Sequence, residues 1–179
     1  MTKIVDITKA RLGINVGKAY RNWKNRLGKD FGLLTRLCHV SDKSLRFLAG
    51  GAGNSPFYIY DFIMNLKGLG SGFEFNELDS KNKISVMDMY IFLLDQIRFE
   101  YMKRIGWLDS YPGEEFTIVD LILQFDKLAP GMRARPPSLS KDHPAYGRFS
   151  EMSQFEKEEL IRKLLGDALQ EMRDYPTIL

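Results

Sequence analysis

The sequence predicts an all-α fold, a single compact domain of about six or seven helices with a long central helix near residues 85–105. Three observations carry this expectation. Apolar residues recur at the three- and four-residue spacing of a one-sided helix in segment after segment. Those segments open on Ser, Thr, Asp or Asn and close on glycine or proline, the residues that start and stop helices. No stretch sustains the two-residue alternation of a half-buried strand; the best two, Ile4-Val5-Asp6-Ile7 and Phe73-Glu74-Phe75, are short. With 179 residues, 44% of them hydrophobic, the chain has apolar material for a real core.

The elements follow in order. Asn15 caps a helix over 16–27, in which Val16, Ala19, Tyr20, Trp23 and Leu27 share one stripe and Gly28 is the stop. Lys18 and Arg21 lie on its opposite face. Asp30 caps a short helix over 31–38, with Phe31, Leu34, Leu37 and Cys38 on one side, which assigns Cys38 to the core. Ser41 caps another over 42–49. The glycines at 50, 51 and 53 terminate that helix; they lack the Lys-Ser/Thr and the preceding strand of a phosphate loop. Ser55-Pro56 opens a helix over 56–67 that is apolar almost all round and therefore expected to be buried.

Ser85 caps the longest helix, over 85–105. Its main stripe is Val86, Tyr90, Leu93, Ile97, Tyr101 and Ile105, and a second stripe holds Phe92 and Phe99. Two apolar stripes require partners on more than one side. Thr117 caps a helix over 118–128. Residues 129–152 hold four of the seven prolines and read as a long basic loop. Ser153 and Glu156 have capping-box spacing and start the last helix, which docks on the same domain. The organisation is thus a helical core over 1–128, a proline-rich loop over 129–152 and a C-terminal helical segment over 153–179.

The charge is unevenly spread. The net charge is +3, yet residues 1–50 carry 11 Lys and Arg against 3 Asp and Glu, a balance of +8, so the remainder sums to −5. Such asymmetry points to an anionic partner, a nucleic acid or an acidic protein, met by the basic N-terminal region. The single cysteine excludes an internal disulfide, and no run of about 18 apolar residues offers a membrane span. A cytoplasmic protein is the expectation.

Catalytic chemistry finds little support. Cys38 and His39 are adjacent in sequence and cannot face each other as nucleophile and base. Asp88 and Asp95 share a helix face but stand ~10 Å apart by helical rise, too far for a shared proton. Asp95 and Arg98 have the spacing of an internal ion pair. Two histidines and one cysteine make no zinc set. No metal site and no cofactor are expected. The aromatic residues Phe57, Tyr58, Tyr60, Phe92 and Phe99 could line a ligand pocket, although such stripes usually form core.

One stretch has a more specific pattern. In residues 31–48, Leu34, Cys38, Val40, Leu45 and Leu48 occupy the apolar places where two short helices meet a turn, and Ser41 takes the cap of the second helix. This stretch resembles a helix-turn-helix motif. The resemblance implies that Lys43, Ser44 and Arg46 face bases in the major groove while the basic face of 16–27 meets phosphates. It departs from the motif at Thr35, where a small residue is favoured, and at His39, in place of the turn glycine. Three functional classes follow: a non-enzymatic binding or regulatory protein using its basic N-terminal region on an anionic partner, a helix-turn-helix DNA-binding regulator, and a small-molecule carrier or enzyme with an aromatic pocket.

Overall fold

The computed structural model describes residues 7–51 and 53–174. Among these residues the chain runs through α1 (Ile7–Ala19), α2 (Arg21–Leu27), α3 (Asp42–Gly50), α4 (Ser55–Leu66), α5 (Ser80–Arg104), β1 (Leu108–Ser110), α6 (Ile118–Leu123), α7 (Phe125–Arg133), β2 (Ser138–Leu139), α8 (Tyr146–Glu151) and α9 (Gln154–Asp174). The fold is all-α; β1 and β2 form one small antiparallel pair. Short 3-10 turns occupy Leu37–His39 and Gly72–Glu77.

The two-striped helix lies at the centre. α5 packs against α3, α4, α6, α9 and β1. Val86, Leu93, Ile97 and Met102 are buried completely, and Phe92 nearly so. It begins earlier than Ser85, because the Asp79 carboxylate accepts from the Asn82 amide at 2.8 Å and caps it there. Its end is a glycine cap: Trp107 N–H donates to the Met102 carbonyl at 3.0 Å, and Gly106 N–H to Lys103 at 3.0 Å, with Gly106 at φ 83°.

α1 and α2 lie across α4. Tyr20 and Trp23, both fully buried, meet Phe62 at ring separations of 4.9 and 5.0 Å. The Trp23 indole N–H donates to the Tyr58 carbonyl at 2.9 Å. Asp61, only 1% exposed, sits where these elements meet. Its carboxylate accepts from Asn22 Nδ2 at 2.8 Å, from Asn65 Nδ2 at 3.0 Å and from the Gly72 amide at 2.9 Å. Gly72 must lack a side chain, since a Cβ there would lie 3.1 Å from the Asp61 backbone. One buried carboxylate thus ties α2 and the following 3-10 turn to α4.

The helix expected over 31–38 does not form. Residues 31–36 make turns and an isolated antiparallel bridge between Arg36 and Thr117, and Ile118 N–H donates to the Thr35 carbonyl at 2.9 Å. The segment spends its backbone on the start of α6 rather than on itself. Thr35 Oγ1 also accepts from the Gly32 amide at 2.8 Å, a local bond that competes with a helix. Leu34 is consequently 78% exposed, and Cys38 is exposed rather than in the core. The first helix of the helix-turn-helix resemblance is therefore absent, whereas the second is α3, with Ser41 accepting from Ser44 N–H at 3.2 Å as its cap.

Other boundaries shift for identifiable reasons. Helical structure reaches back to Ile7, through Gly13 and Gly17, because α1 is backed by α4. Ser55 is inside α4 with its hydroxyl buried, not capping it. The helix expected over 118–128 breaks at Gln124 into α6 and α7, and α7 continues past Pro130 to Arg133. The supposed loop over 129–152 contains the end of α7, β2 and α8. α9 starts at the expected place, with Ser153 N–H donating to Glu156 Oε2 at 2.8 Å and Glu156 N–H to Ser153 Oγ at 3.3 Å. Phe73–Phe75 lies in the 3-10 turn, and Ile4–Asp6 falls outside the described residues.

Asp61→Ala leaves three donors without their acceptor and is expected to destabilise the protein by on the order of 3 kcal/mol. Asp61→Asn, which keeps one acceptor oxygen, should lose less. Urea unfolding midpoints rank the three proteins, and equal midpoints would deny Asp61 its role.

Candidate functional site

Two regions carry the chemistry. The first is the outer face of α1 and α2. Between Ile7 and Lys29 there are seven Lys and Arg and no Asp or Glu. Arg11, Lys18, Arg21 and Lys24 are exposed, and none has an ion-pair partner among the described residues. The ion pairs present lie elsewhere, on α5, the Glu114 loop, α9 and Asp42. Tyr20 keeps near-helical dihedrals between α1 and α2, so the outer face runs through both. Positions 7, 11, 14, 18 and 21 follow the spacing of one helical stripe. They hold Ile7, Arg11, Ile14, Lys18 and Arg21, and the two isoleucines are 73% and 59% exposed.

The residues singled out on α3 divide. Lys43 is exposed, at the start of α3. Ser44 is buried; its hydroxyl donates to the Leu27 carbonyl at 3.2 Å and accepts from Ser41 Oγ at 2.8 Å. It joins α3 to the end of α2 and cannot reach a partner. Arg46 is half-buried and turned to α9, with its guanidinium 5.9 Å from the Tyr101 ring centroid and 3.5 Å from the Met172 carbonyl.

The aromatic set also divides. Phe57 contacts Phe73, Tyr58 meets Phe47 edge-on, and Tyr60 stacks on Tyr90 at 4.4 Å, all around α4. Phe92 and Phe99 face the other way, into a cleft of about 260 Å³. Phe57, Tyr58 and Tyr60 do not line this cleft.

This cleft is the second region. Its floor is α5, with Phe92, Asp95, Gln96 and Phe99. One wall is Met132–Pro137, held against the chain after α5 by the β1–β2 pair and by Ser140 N–H donating to the Trp107 carbonyl at 2.9 Å. The start of α9 supplies the other, with Glu158, Ile161 and Arg162. Asp95 is not paired with Arg98 as its spacing suggested. Arg98 Nε donates to the Ala49 carbonyl at 3.0 Å, satisfying the end of α3, and the Asp95 carboxylate faces Arg162 at 3.9 Å. No hydrogen-bond donor reaches that carboxylate among the described residues. Burial raises its pKa above the ordinary carboxylate range, against the opposing effects of Arg162, Arg98 and Arg133. Beside it, Gln96 is 4% exposed and its carbonyl Oε1 has no donor. A Cβ on Gly113 would fall within the Gln96 carboxamide, so a larger residue there requires that carboxamide to move.

Comparison with protein families, with curated proteins and with solved structures gives no match to this chain.

A third buried group is structural. Glu100 accepts from the Tyr111 hydroxyl at 2.8 Å and from Arg104 Nε at 2.9 Å, and Arg104 also reaches Asp42 at 2.7 Å and the Leu37 carbonyl at 2.9 Å. Burial and the adjacent Glu100 push the Tyr111 hydroxyl upward, so it remains a donor. Among the described residues no three His, Cys, Asp or Glu side chains are placed to hold a metal ion. No helix of the described residues is long and apolar enough to cross a membrane.

The sequence signal for the cleft was weak because its residues are far apart in the chain. Asp95, Arg133, Arg135 and Arg162 belong to three segments. The bias of Phe92 and Phe99 toward a second α5 stripe was the one usable hint.

Gly113→Ala is expected to destabilise by about 1–3 kcal/mol, because the Gln96 carboxamide must move; an unchanged thermal midpoint would contradict the packing described. Asp95 supplies a pH test. Its folded-state pKa is raised, so its contribution to stability is full below the ordinary carboxylate range and is lost as pH rises through the raised value. Asp95→Asn should therefore match the parent near pH 4 and exceed it in stability at pH 7, as read from denaturant unfolding at both pH values. A variant weaker than the parent at pH 7 would show that the charged form is favoured instead.

Proposed function

We propose that the protein is a non-catalytic binding module that engages an acidic protein segment through the outer face of α1 and α2. The observation behind this reading is the row of exposed cations from Arg11 to Lys24 without a carboxylate on the same helices. A folded domain ordinarily mixes charges along a surface helix; the like charges of Arg11, Lys18, Arg21 and Lys24 repel each other and are relieved by an anionic partner.

The isoleucines favour a protein over a nucleic acid. Ile7 and Ile14 alternate with the cations on the stripe, and a phosphate backbone offers them nothing apolar. An acidic amphipathic helix offers both, with carboxylates for Arg11, Lys18 and Arg21 and apolar side chains between them. Lys43, brought to the end of α2 by the Ser44–Leu27 bond, extends the cationic surface.

The test is binding to a labelled acidic amphipathic peptide, followed by fluorescence anisotropy at several salt concentrations. Affinity is expected to fall as salt rises, and Lys18→Glu with Arg21→Glu to weaken it about tenfold or more, each tenfold being on the order of 1.4 kcal/mol. Salt-independent binding, or full affinity in the double variant, would remove the reading. Duplex DNA displacing the peptide at lower concentration would transfer it to nucleic acid.

A further inference from the structure

The cleft over α5 is separate from the cationic helix face and has its own chemistry. Its floor holds a carboxylate that the fold leaves without a hydrogen-bond donor among the described residues. The Asp95 carboxylate is part-buried and has the 3.9 Å approach of Arg162. A part-buried carboxylate without hydrogen bonds has lost some of its water and is free to accept from a ligand.

The mouth has the opposite character. Arg133, Arg135 and Arg162 line it, with Glu158 the one carboxylate among them. Arg133 lies with its guanidinium 5.5 Å from the Phe125 ring centroid, and Arg135 Nε reaches the Gly131 carbonyl at 3.4 Å. Neither is paired with a carboxylate among the described residues. The guanidinium N–H groups left over can hold a ligand carboxylate in a two-point contact. Arg162 is exposed along most of its side chain, so it can leave Asp95 and join them.

The rest of the lining is apolar: Phe92, Phe99, Met132, Ile161 and the Pro136–Pro137 pair. The volume, about 260 Å³, is at the lower limit of small-molecule sites. A ligand that meets all of these groups is small, has an apolar body, and bears a cationic donor and a carboxylate.

We propose that this cleft binds a small zwitterion, a free amino acid with a bulky apolar side chain. Its ammonium group takes the place of Arg162 against Asp95, its carboxylate meets Arg133 and Arg135, and its side chain lies on Phe92 and Phe99. This site is independent of the binding role of α1 and α2.

Three probes of one shape decide it: L-phenylalanine, 3-phenylpropionate and phenethylamine, titrated into the full-length protein with methyl and aromatic NMR signals of Ile161, Met132, Phe92 and Phe99 as the readout. L-phenylalanine should give saturable shifts in these signals and bind about tenfold or more tightly than either single-charge analogue. Asp95→Asn should abolish its advantage over 3-phenylpropionate. Arg133→Ala with Arg135→Ala should abolish its advantage over phenethylamine, while circular dichroism shows both variants folded. The proposal is overturned if either analogue binds as well as L-phenylalanine. It is equally overturned if no probe shifts these signals, or if both variants keep the parent's preferences.

Discussion

The burial of α5 is the constraint on which the rest of this structure depends. A helix with apolar side chains on more than one face must be covered on each of them, and every cover is a different part of the chain: α3 and α4 on one flank, α6 on another, α9 on a third. Three of the polar residues within it join those covers. Arg98 satisfies the end of α3, Arg104 gathers Leu37 and Asp42, and Glu100 holds Tyr111. Arrangements of this kind are stable because each buried charge has its partners; removing one member strands the others.

The helical class, the caps at Ser41, Thr117 and Ser153 and the buried faces of α4, α5 and α9 were legible because each rests on residues within one or two turns of each other. The errors have the opposite origin. Residues 31–38 have a helical pattern, but Thr117 and Ile118, eighty residues away, claim their backbone. Ser44 reads as a surface hydroxyl until the end of α2 is placed beside it. Of the site residues, Lys18, Arg21 and Lys43 are exposed as their positions suggested, because exposure on an amphipathic helix follows from its period. The cleft was only half visible, since proximity of Asp95 to Arg162 is a product of how α9 crosses α5.

The two chemical regions differ in how the fold treats charge. On α1 and α2 the cations stand in water, where each is cheaply held and readily screened. In the cleft, Asp95 is held against its own solvation preference, and the fold tolerates this because arginines from α5, α7 and α9 surround it. A surface of the first kind suits encounter with a large partner; one of the second suits selection of a small one.

The unbroken run of positive charge on α1 and α2 also bears on the order in which the molecule assembles. These helices have two internal glycines and no acidic residue in the first turn of either. In isolation such a segment gains little from helix formation. Its stability comes from Tyr20 and Trp23 seated on Phe62, a contact with a partner some forty residues later in the chain. Although α1 and α2 are synthesised before α4, the buried contacts that hold them are made with it, so a chain ending before α4 would lack their support.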